Sequence, residues 1–221
     1  MNVFKILTAH SRTKSFLLPL SLLCLSFCIR LSLISKGPFE LDCLGLALNA
    51  QQTATTGQLQ YFNAAGYPLA VALGAFFIRL TNLFSVNDPI FAVNLMSVCF
   101  GSAIVPLQYL LTKNLLNERA ALYSAVMLSF IPVLFLQSLF GISHNIFIFF
   151  LLLGFYWLTL TPVDHPKSLF LILSGVALGL AASTREQDIV LMLPAIFYLP
   201  SAKQALGFPI GNFFLLLLYL G

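Results

Sequence analysis

Apolar residues run through this chain in long blocks separated by short polar connections. The clear blocks cover about 16–35, 64–84, 89–112, 120–140, 145–161, 168–183, 188–200 and 205–221. Most of them approach the ~20 residues a helix needs to cross bilayer hydrocarbon. The later connections, TKNLLNER, TPVDHPKS, STREQD and PSAK, are short, and neither a soluble domain nor a low-complexity linker separates the blocks. The strict alternation of a membrane β-barrel is absent. The pattern predicts an all-α fold: a polytopic transmembrane helical bundle of about seven spans, forming a single domain over residues 1–221, with interfacial helices in a first external loop over 36–88.

Composition agrees. The chain is 59% hydrophobic and only 8% charged, with a mean hydropathy of +0.95, whereas an ordinary soluble domain is about 45–50% apolar even when glycine is counted. The net charge of +4 is carried by singly scattered residues, with no basic stripe that would read as a nucleic-acid surface. The four cysteines (Cys24, Cys28, Cys43, Cys99) lie in or beside apolar blocks and form no CxxC or Cys/His cluster. The first block is too long for a signal-peptide core and no small-residue cleavage site closes it. GNFFLLLLYLG ends inside an apolar block, which reads as a fragment of a longer protein or a truncated reading frame.

Charge placement predicts the topology. Loops on the cytoplasmic side carry excess Lys and Arg, so Lys5, Arg12 and Lys14 start inside, and Glu40 and Asp42 emerge outside. If block 64–84 crosses, Lys113, Arg119, Lys167 and Lys203 all fall outside. If it does not cross, all four fall inside, and Asp88, Glu186 and Asp188 join Glu40 and Asp42 outside. The block also contains Gly66, Pro68, Gly74, Arg79 and Asn82, an expensive set for lipid-exposed hydrocarbon. A helix lying in the outer interface satisfies every loop. That arrangement gathers three polar stretches on one external face: 39–60, 141–145 and 184–188.

Those stretches hold the candidate chemistry. Asp42 opens LDCLGLALNAQQ, which reads as a helix with Leu41, Leu44 and Leu48 on one face. Its carboxylate is either an acid solvated at a helix N-terminus, where the dipole favours it, or a general base at a water–membrane boundary. Glu40 is the weaker acid, since two residues' offset points it elsewhere. Tyr67, in NAAGYPL, suits an aromatic anchor at the interface, and Pro68 suits a helical first turn. His144, in SHN, is either a solvated cap or a ligand for a phosphate or sugar; one His is too little for a metal site. Arg185, beside Glu186 in STREQD, is either an ordinary loop residue or a partner for an anionic phosphate. Arg30 lies inside the first block and either snorkels outward or pairs with an acid such as Asp42.

In order and spacing these segments resemble the GT-C superfamily of membrane glycosyltransferases, within it the protein mannosyltransferase and lipid A aminoarabinose transferase type. Asp42 stands at the family's acidic motif in the first external loop, with Gly57 after it. AAGYPL matches the region where relatives carry an HPPGYPL-like stretch. Asn94–Ser138 is similar to the family's paired spans, and Ser174–Pro194 to its Gly-rich span, basic loop and next span. The resemblance covers about residues 20–200. It implies transfer of a sugar from a polyprenyl- or dolichyl-phosphate donor to a protein, lipid or glycan acceptor on the periplasmic or lumenal face, usually with inversion. Asp42 would be the catalytic base, Arg185 and His144 would contact the donor phosphate, and Glu40, Tyr67 and Glu186 would support them. The chain departs from the family where Cys43 replaces the second acid and where His144 and Asn145 replace an acid after the paired spans. The departures put a divalent metal in doubt, and no other cofactor is implied. The family is typically about twice this long. Two readings compete with the enzyme: a transporter or flippase-type carrier, which broken helices and internal repeats would favour, and a non-catalytic membrane subunit.

Overall fold

The computed structural model describes residues 3–61, 67–161 and 169–194, with side chains from Leu17 onward and without those of Glu186 and Gln187. The described residues are helical throughout, with no strand among them: α1 (Val3–Ser32), α2 (Leu41–Thr56), α3 (Pro68–Leu83), α4 (Pro89–Leu115), α5 (Glu118–Ser129), α6 (Pro132–Gln137), α7 (His144–Thr159), α8 (Leu169–Thr184) and a 3-10 helix, Glu186–Met192.

Local chemistry explains the boundaries. Asp88 caps α4, its Oδ1 accepting from the N–H groups of Ile90 (2.9 Å) and Phe91 (3.2 Å), and Pro89 fills the first turn, where no N–H is needed. Asn117 caps α5 by accepting from Ala120 N–H at 2.9 Å. Gly57 ends α2 with φ +74°, a left-handed turn that costs glycine little, and its N–H reaches Thr53 O at 3.0 Å. The block 120–140, read as one span, is two helices. Pro132 has no N–H to continue α5 and holds Ile131 extended at φ −60°, ψ 116°, so α6 starts afresh.

Helix direction follows from which residues meet. Leu18 and Leu22 of α1 pack beside Val105 and Tyr109 of α4, whereas Ser35, just after α1, offers its carbonyl to Asn94 near the start of α4. Helices α1 and α4 are therefore antiparallel. Gln108 reaches Ser124, and Tyr109 reaches Glu118, turning α5 back along α4. Ser97 meets Ile142, and Asn114 meets Thr159, so α7 runs parallel to α4. Ser174 donates to Gly154 O at 2.8 Å while Arg185 meets His144, so α8 returns antiparallel to α7. The chain thus leaves α1 and enters α4 at the same end of the bundle.

Between them α2 and α3 lie side by side in one direction, Ala50 against Gly74 and the Ala54 carbonyl against Arg79. They bury Leu46, Ala47, Ala50, Ala70, Val71 and Ile78 against α4 residues confined to Ile90–Phe100. The buried face of α2 is Cys43, Leu46, Ala47, Ala50 and Thr53. Of the leucine face, Leu41 is 84% and Leu48 55% exposed. Small residues win because α2 approaches α3 closely; a Cβ on Gly74 would stand 2.8 Å from Ala50 Cβ. Tyr67 is buried in the same cluster at 5% exposure, which removes it as an interfacial anchor, and it caps α3 in the left-handed region at φ 38°.

Helix length by itself identifies one span among the described residues, against the seven expected. Among the described residues only Pro89–Leu115 is long and apolar enough to cross a membrane, and Pro68–Leu83, His144–Thr159 and Leu169–Thr184 are shorter apolar helices. A 16-residue helix rises about 24 Å, less than the ~30 Å hydrocarbon thickness. The apolar block 205–221 lies outside the described residues.

Close packing at one glycine gives a direct test. A Cβ on Gly141 would sit 2.5 Å from Val93 Cγ2 and 3.2 Å from its backbone carbon, whereas one on Gly175 meets no described atom within 4 Å. Gly141→Ala is expected to cost about 1–3 kcal/mol through overpacking and to lower the thermal midpoint in detergent. Gly175→Ala, in a helix interior, is expected to hold or raise it. Equal midpoints for the two variants would contradict this packing.

Candidate active site

Two loops and the end of a third helix meet where α1 ends. Asp42 lies in the first turn of α2, exposed, at the helix end whose dipole favours an anion. Glu40 occupies the N-cap position of α2 without a side-chain cap bond and is exposed. The next residue, Cys43, is buried against Phe140 and Ile142. Burial pushes its thiol up, so it supplies no charge in place of the acid expected there.

His144 opens α7, just ahead of the apolar run 145–161. Arg185 follows the last residue of α8, and its Nη1 lies 3.0 Å from His144 Nδ1. A guanidinium has only donors, so Nδ1 must accept and the imidazole proton must reside on Nε2. Burial, then the Arg185 charge, lowers the His144 pKa, opposed by Asp188 and Asp42. The sign follows. With its folded value below the ordinary ~6.5, neutral His144 contributes stability above that pH, and the contribution is lost as the pH falls through the folded value.

Arg185 is held from its other side by Asp188, whose Oδ2 lies 2.7 Å from Nε. The contact is an ion pair by distance, yet Nε is buried without an aligned hydrogen bond. The Asp188 carboxylate pairs with the guanidinium charge and occupies its Nε side. Asp188 was not among the candidates; its i,i+3 spacing from Arg185 in TREQD was the available signal. The side chain of Glu186 lies outside the described residues. Among the described residues no three His, Cys, Asp or Glu side chains form a metal site.

Arg30 takes neither expected course. At 3% exposure it neither snorkels nor pairs with Asp42. Its Nε donates to Ser138 Oγ at 2.8 Å, Nη1 reaches Ser26 Oγ, Nη2 reaches Ser129 O at 3.5 Å, and the guanidinium stands 5.1 Å from the Phe135 ring centroid. Hydroxyls, a carbonyl at the end of α5 and an aromatic face substitute for water. Arg79 is exposed and donates from Nε and Nη2 to Ala54 O at 3.2 and 2.9 Å.

The structure therefore brings together His144, Arg185 and Asp188, and Asp42 lies in the first turn of α2 at the same end of the bundle. Tyr67 belongs to the α2–α3 core. Residues 68–220 match the description dolichyl-phosphate-mannose-protein mannosyltransferase. The chain belongs to that family. It is a GT-C-type family of integral membrane glycosyltransferases using a dolichyl-phosphate-linked donor. The span matched to the mannosyltransferase family contains His144, Arg185 and Asp188, and it begins after Asp42. No curated protein and no solved structure matches the chain.

The Arg185–His144 contact can be read directly. In Arg185→Gln the neighbouring positive charge is gone while Asp188 and Asp42 remain, so His144 is expected to titrate at higher pH than in the wild type by histidine-labelled NMR. An unchanged or lower value would contradict the contact.

Proposed function

We propose that this protein transfers a sugar from a polyprenyl- or dolichyl-phosphate donor to an acceptor hydroxyl on the non-cytoplasmic face of its membrane. The reading is supported by the contact of Arg185 with His144 at the end of the bundle where α1 emerges and α4 begins, the end at which α2 starts with Asp42. Because the 36–88 segment leaves and returns at that end, the helix directions support its assignment as one external loop. The acidic residues of that end and the basic Lys113 and Arg119 of the other support the same orientation.

In the proposed reaction the acceptor oxygen attacks the anomeric carbon of the donor. The bond from that carbon to the phosphate oxygen breaks, and polyprenyl phosphate leaves with the electron pair. Asp42 takes the acceptor proton. Its exposure suits access by an acceptor from the aqueous side. Arg185 brings a guanidinium charge, held by Asp188 on its Nε side, and His144 carries its proton on Nε2. With the positive end of α7, both suit the phosphate as charge develops on it. Attack opposite the leaving phosphate inverts the anomeric centre.

The test uses the full chain in proteoliposomes with radiolabelled dolichyl-phosphate mannose, following label into acceptor. Asp42→Asn is expected to lower transfer by about 10²–10⁴-fold, the usual contribution of a general base, with donor binding retained. Arg185→Ala is expected to raise the donor KM. Full transfer by a folded Asp42→Asn variant would refute the role given to Asp42.

A further inference from the structure

Asp42 and His144 begin different helices, α2 and α7, and nothing in the order of the chain sets their spacing. A third residue does. Asn94, on the second turn of α4, has no exposed surface. Its Nδ2 donates to the carbonyls of Ser35 (2.9 Å) and Gly37 (3.4 Å), and its Oδ1 accepts from Gly141 N–H at 2.6 Å. Two carbonyls on one side and an N–H on the other fix which way the amide points. One turn later Ser97 repeats the tie, its Oγ accepting from Ile142 N–H at 3.1 Å and lying 3.4 Å from Ile142 O. The loops also touch each other: Ser35 N–H donates to Leu139 O at 2.9 Å, and Phe39 stacks on Phe140 with ring centroids 4.7 Å apart.

We propose that Asn94 is a positioning residue of the candidate site, a strut that sets Asp42 against His144 and Arg185. Burial alone would suit an apolar side chain at this α4 position; the joining of two loops calls for an amide. Gly37 lies five residues before Asp42, and Gly141 three before His144. Each loop enters its helix directly after the tie. The consequence for transfer rests on the reaction proposed above, whereas the geometry can be tested without it.

Among the described residues, the charges of Arg185, Asp188 and Asp42 act on His144. Histidine-labelled NMR titration of the full chain in lipid nanodiscs therefore reads the Asp42–His144 spacing. Asp42→Asn sets the reference, lowering the His144 titration point. Asn94→Ala is expected to shift it in the same direction and to add nothing in an Asp42→Asn background. A wild-type titration in folded Asn94→Ala, or additive shifts in the double variant, would overturn the strut. Should Asn94→Ala not fold, Ser97→Ala removes the smaller tie and is expected to give a smaller shift; no shift there overturns the proposal as well. In the transfer assay, Asn94→Ala is expected to lower kcat on the order of 10²-fold, the scale of an ångström of misplacement, with donor KM nearly unchanged. A shifted titration in a protein whose wild type transfers no sugar would refute the reaction and uphold the strut.

Discussion

The amide of Asn94 bonds to two loops at once, and the functional end of the molecule is arranged around that bond. Ser35 and Gly37 present carbonyls as the chain leaves α1, and Gly141 presents an N–H as it enters α7. Without Asn94 the buried Gly141 N–H would lose its partner, at a cost of about 1–3 kcal/mol. The approach has to be close, and Gly141 permits it: even a Cβ there would run into Val93. The same junction seats Cys43 against Phe140 and Ile142, which fixes the start of α2 and thereby the direction of Asp42.

A second constraint lies across the site. Arg185 has no acceptor to offer, so His144 must accept from it on Nδ1 and keep its proton on Nε2. Asp188 holds the guanidinium from the opposite side. A cation and a neutral imidazole donor are thereby held at the end of the bundle where α2 begins with the exposed Asp42. The separation suits a reaction in which an anionic leaving group and an acceptor proton must be received by different groups. Membership of the dolichyl-phosphate-mannose-protein mannosyltransferase family provides a donor class with the matching anion.

Helix existence and direction were legible in the sequence because apolar blocks and loop charges report on burial and orientation independently. The antiparallel pairing of α1 and α4 is what the charge count over Lys113 and Arg119 required. Other features turned on contacts that no local pattern encodes. The leucine face of α2 shows that it is a helix but not which face is buried; close approach to α3 selects Ala47 and Ala50. Besides Ser26 one turn back, Arg30 found a carbonyl of α5, a ring of α6 and the hydroxyl of Ser138 after it, all remote in sequence. Pro132 divided a block whose hydropathy is continuous. Asn94 and Ser97 were visible as two polar residues one turn apart in an apolar helix, but their partners are more than forty residues away.

The central claim is that Asp42, His144 and Arg185 share one non-cytoplasmic end of the bundle, opposite the α4–α5 turn. Single-cysteine labelling in intact cells with a membrane-impermeant thiol reagent tests it most directly, in a chain whose four native cysteines are replaced by alanine. The account predicts that Glu40→Cys, beside the site, is labelled from outside, and that Asn114→Cys is labelled only after the membrane is permeabilised. External labelling of Asn114→Cys in intact cells would contradict it.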